Sequence, residues 1–70
     1  MRMELKNLIH ALERLKAWVE VEEQRANFVA KDSAEHDEQV AYRAKAEVLE
    51  QVRIRIATTI MVIEEAQERE

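Results

Sequence analysis

Seventy residues with no cysteine, glycine or proline and a formal net charge of −4 exclude several function classes at once. There is no disulfide scaffold, no thiolate metal site and no glycine-rich phosphate loop, and the acidic balance argues against general affinity for nucleic-acid phosphates. A chain this short makes one small domain, 1–70, and buries a small fraction of its surface, so self-association is its expected support. Tight hairpins need Gly or Asn at positive φ, and the only Asn residues, Asn7 and Asn27, lie inside helical patterns, whereas Ala, Glu, Gln, Arg, Leu and Lys are strong helix formers. The expected class is all-α.

From Leu5, apolar residues recur at Leu8, Leu12, Leu15, Val19, Ala26 and Ala30. Steps of three and four predict an amphipathic helix over about 2–30. Opposite that stripe lie Met3, His10, Ala17, Val21 and Phe28, with Trp18 alongside. Burying Trp18 or Phe28 is worth about 2–3 kcal/mol each, so this back face reads as an interface.

Residues 30–39, AKDSAEHDEQ, contain no large apolar side chain. They predict a link at about 31–33. Asp32 or Ser33 is placed to cap the next helix, and Asp32 with Glu35 has capping-box spacing. Glu35, Asp37 and Glu38 then fall in a first turn, where the helix dipole favours negative charge.

A second series, Val40, Ala41, Ala44, Val48, Val52, Ile56, Thr59, Ile63 and Ala66, predicts a helix over about 33–68. Within it, QVRIRIATTIMVI opens with strand-like alternation at Val52, Ile54 and Ile56, but no other segment alternates and a lone strand is unstable. On a helix, Ile54 and Met61 fall opposite the main stripe and Ile60 and Val62 fill the flanks. One neighbour cannot cover both sides. The chain is therefore expected to fold as an antiparallel two-helix hairpin that assembles into a four-helix bundle or larger helical homo-oligomer. The rival is one continuous helix of about 100 Å in a coiled coil.

No constellation points to catalysis, a cofactor or a metal. His10 and His36 are preceded at the Glu-x-x-His spacing by Asn7 and Ser33, which is not a di-iron pattern. Thr59 on the stripe is placed to bond a carbonyl one turn back. Glu23 and Lys45 are expected to meet across the hairpin and set its register. Arg14, Arg25, Arg53 and Arg55 offer an anion-binding cleft between chains, with ordinary ion pairing to neighbouring glutamates as the plainer reading. The expected role is a noncatalytic homo-oligomeric interaction module in the cytoplasm, acting as adaptor, assembly factor or regulatory subunit. Its partners are itself and another protein, with no direct nucleic acid and no membrane. Trp18, Val21, Phe28, Ile54 and Met61, with Met3 and His10, are the expected interface residues. The alternatives are a small acidic inhibitor of a basic macromolecule, or an oligomer holding a small anion in arginine-lined clefts.

Overall fold

A computed structural model describes residues 2–69, with side chains from Glu4 to Arg69. Two helices, α1 (Arg2–Asp32) and α2 (His36–Glu68), run back to back as an antiparallel pair, and no strand occurs among the described residues. Neither helix contains a residue that forces a break, so each runs for about thirty residues without interruption. The pair is a rod of 53 × 14 × 11 Å. Its radius of gyration is 15.9 Å, against about 11 Å for a compact globule of this length.

The link is Ser33–Glu35. No described residue has a positive φ; Glu35 instead turns extended, at φ −91° and ψ 128°. The Ser33 amide still donates to the Val29 carbonyl at 2.9 Å, so helical bonding persists to the edge of the link. The Gln39 side-chain amide donates to the Ser33 carbonyl at 2.6 Å and ties α2 to the corner. The expected capping box does not form. Asp32 remains inside α1, and Glu35, standing at the N-cap, makes no side-chain cap bond. Ser33 acts within the link instead, its hydroxyl oxygen accepting from the Glu35 amide at 3.3 Å. Asp37 and Glu38 occupy the first turn of α2, as the dipole favours.

The seam follows a seven-residue repeat, with steps alternating four and three. On α1 it runs Leu5, Ile9, Leu12, Lys16, Val19, Glu23, Ala26 and Ala30, each buried or half-buried. On α2 it runs Gln39, Tyr42, Ala46, Leu49, Arg53, Ile56, Ile60, Ile63 and Gln67. This corrects the expected stripes. Leu8 and Leu15 are 46% and 45% exposed. On α2 only Ile56 and Ile63 of the expected series belong to the seam; Val48 is 63% exposed, and Val40, Ala41, Ala44, Val52, Thr59 and Ala66 are exposed too. The physical reason is that repeated steps of four, as in Val40, Ala44, Val48, Val52 and Ile56, drift round the helix by about 40° each, whereas the contact face follows alternating steps of four and three. Thr59 makes the expected back-bond, its hydroxyl donating to the Arg55 carbonyl at 2.8 Å, from the exposed side.

The repeat also explains why the chain must turn. Ala30 and Gln39, the last and first seam residues, are nine steps apart. At about 100° per residue an unbroken helix would place the two seams half a turn apart, on opposite sides. Only a break lets them face each other.

Candidate interaction surfaces

Let the seam positions be a and d of the heptad, with Ile9 and Gln39 at a. The flanks then divide into two edges, e with b on one side and g with c on the other. A groove of about 490 Å³ is lined by Glu13, Lys16, Ala17, Glu20, Ala57, Ile60, Met61 and Glu64, all at a, e or b. The e flanks of both helices therefore share one edge of the hairpin, and the g flanks share the other.

The seam carries one ion pair across the helices. The Arg53 guanidinium donates through Nε to Oε2 of Glu23 at 2.8 Å, with both side chains largely shielded. That hydrogen bond first, and the Glu23 charge second, raise the Arg53 pKa above its ordinary value. Glu23 thus meets Arg53 and not the expected Lys45, whose Nζ lies 5.7 Å from the Tyr42 ring centroid. The expected register assumed a compact corner. Three link residues with an extended Glu35 can advance the chain by up to about 10 Å along the axis. Moving from Lys45 to Arg53 is a shift of eight residues, about 12 Å of helix. Lys16, also in the seam, reaches Glu20 one turn on at 3.7 Å.

The g and c edge carries exposed apolar side chains among charged ones. Leu8, Leu15 and Trp18 supply the apolar ones from α1, and Val48, Val52 and Val62 from α2; each is exposed, Trp18 to 58%. Of the residues expected at an interface, Trp18 alone lies on this edge. Val21 and Phe28 (53% and 68% exposed) stand at the back of α1, away from α2. Ile54 and Met61 are exposed on the e and b edge, and His10 is exposed there also. The Met3 side chain lies outside the described residues. The expected back face of α1 is therefore divided among three sides, while Ile54 and Met61 of α2 stay together on one edge. Sequence reasoning put Leu8, Leu15, Val48 and Val52 in the main stripes and Val62 on a flank, whereas all five are exposed. The signal that finds them is the strict four-three alternation of the seam, which these residues do not share.

No protein-family model, curated protein or solved structure matches the chain.

The four arginines are not gathered into one cleft within the chain. Arg53 lines a small polar groove with Glu20, Glu23, Gln24 and Asn27, and Arg25 pairs with Glu22 at 3.6 Å. Arg14 is exposed at the back of α1, and Arg55 is exposed on the g and c edge that Arg25 shares. Among the described residues no three of His, Asp and Glu are placed to hold a metal ion, and no helix is long and apolar enough to cross a membrane.

Proposed function

We propose that this chain is a noncatalytic helical interaction module that assembles with a second copy of itself through the g and c edge, as an adaptor, assembly or regulatory subunit. One observation carries the reading: Leu8, Leu15 and Trp18 share one exposed edge with Val48, Val52 and Val62 across both helices. Exposed apolar side chains from both helices along one edge are what a hairpin presents when it forms half of a four-helix bundle.

The elongated pair leaves more surface uncovered than a globule of its mass does. The accessible surface is 5816 Å², whereas a compact monomer of this mass exposes about 4,600 Å². The surplus of about 1,200 Å² is comparable to what one chain would contribute to a stable two-chain interface. Charge agrees. The edge carries four acids (Glu4, Glu22, Asp32, Glu38) and four bases (Arg25, Lys45, Arg55, Arg69), so two copies approach without net repulsion.

Sedimentation equilibrium tests this. The wild-type chain is expected to sediment as a dimer or higher even-numbered assembly at micromolar concentration. Leu15→Glu with Val52→Glu is expected to weaken assembly at least a hundredfold, since each residue forfeits about 1.5–3 kcal/mol of apolar burial and buries a charge. A wild-type monomer at high concentration would sink the proposal.

A further inference from the structure

The edge opposite the assembly face has a different character. Its e and b positions hold six carboxylates, Glu13, Glu20, Glu47, Glu50, Glu64 and Glu68, against three cations, Lys6, Lys31 and Arg43. The apolar edge is balanced, so much of the chain's negative surplus is concentrated on this side.

That charge surrounds a groove with an apolar floor. Ala17, Ala57, Ile60 and Met61 form its apolar floor, and Glu13, Glu20 and Glu64 stand along it together with one cation, Lys16. The alanines create the depth, because a large side chain at 17 or 57 would fill it. Met61 is 59% exposed at the lip. Glu20 is engaged by Lys16 at 3.7 Å, whereas among the described residues no cation lies within ion-pair distance of Glu13 or Glu64. An apolar trough between unpaired carboxylates attracts a surface of the opposite pattern, apolar in the middle and cationic at its sides.

We infer that this groove docks a basic amphipathic helix of another protein, with its apolar stripe on Ile60 and Met61 and its Lys or Arg side chains on Glu13 and Glu64. The third helix lies along the hairpin and completes a local three-helix packing. The site is on the far side from the assembly face, so it does not depend on self-association. Binding is steered by charge and weakens as ionic strength rises.

The test uses the full chain and two synthetic helical peptides with the same leucine and alanine stripe, one flanked by lysines and one by glutamates. Fluorescence anisotropy of the labelled peptides reads affinity, and backbone amide shifts locate the site. The lysine peptide is expected to bind, more weakly at high salt, and its glutamate twin not to bind. Glu13→Gln with Glu64→Gln is expected to weaken binding at least tenfold, and Ala57→Phe to abolish it by filling the floor. The two glutamates are exposed, so their replacement decides the matter even if Ala57→Phe perturbs folding. Equal binding of both peptides, undiminished binding to the doubly substituted chain, or amide shifts centred on Leu15 and Trp18 would each overturn the inference. Retained binding by Leu15→Glu with Val52→Glu would show that the groove stands even where self-association is lost.

Discussion

The two long sides of α2 divide its apolar residues between them. Its inner seam sets Leu49, Ile56, Ile60 and Ile63 among Gln39, Arg53 and Gln67, while its g and c side presents Val48, Val52 and Val62 to the outside. Among the described residues three large apolar side chains are buried, Ile9, Val19 and Ile56, while eleven are exposed and the seam's other large apolar side chains are half-buried. At about 1.5–3 kcal/mol per buried aliphatic side chain, the inner seam alone is a thin source of stability for a chain of this length. The contrast teaches that hydrophobicity locates a helix's contact faces without saying which belongs to the same chain. In the inner seam the polar pair Glu23–Arg53 bridges α1 and α2, and the outer edge leaves six large apolar side chains exposed.

The largest expected effect comes from breaking the inner side. Ile56→Ala removes a side chain that is 6% exposed, and it is expected to cost about 2–5 kcal/mol, read as a fall in the urea midpoint by circular dichroism. Val48→Ser on the outer side sharpens the comparison. In dilute solution it is expected to change stability by less than about 0.5 kcal/mol, as an exposed substitution does. At concentrations where chains associate, its midpoint is expected to fall clearly below that of the wild type. Equal effects at both concentrations would mean that Val48 faces solvent in every state.

The seam pair comes next. Glu23→Leu with Arg53→Leu replaces a shielded ion pair by apolar contact, and the melting temperature is expected to hold or rise by a few degrees while the helix register loosens. Distances between spin labels on the two helices would broaden; an unchanged narrow distribution would show that the pair does not set alignment. The sign of any pH effect follows from the raised Arg53 pKa. Its contribution is complete below the unfolded value and is lost only as pH climbs through the higher folded value, so mild alkali leaves it intact. The smallest effect belongs to Asp32→Ala. Asp32 ends α1 and does not cap α2, so the change is expected to stay within about 0.5 kcal/mol, whereas loss of a true cap costs about 1 kcal/mol.

Helix class, the antiparallel turn and much of the α1 seam were legible in the residues, because Leu5, Leu12, Val19, Ala26 and Ala30 repeat cleanly and the link lacks large apolar residues. The α2 seam was not. Val48 and Val52 outweigh Gln39 and Arg53 on any hydrophobic count, so the outer stripe presents itself as the core. Register was hidden for a different reason. It depends on how far Ser33–Glu35 travel along the axis, and no single residue there announces an extended path. The acidic groove was hidden as well, since Glu13 and Glu64 come together only once that register is known.

Trp18, the chain's single tryptophan, allows the most direct test of the claim that the outer edge is a buried contact in the assembled protein. Its emission and its quenching by acrylamide would be followed as concentration is raised through the association range, with sedimentation in parallel. The proposed packing predicts a shift of emission to the blue and a loss of quenching in step with assembly, because an indole 58% exposed in the hairpin becomes covered. Assembly with Trp18 still fully quenched, or no assembly at any concentration, would contradict it.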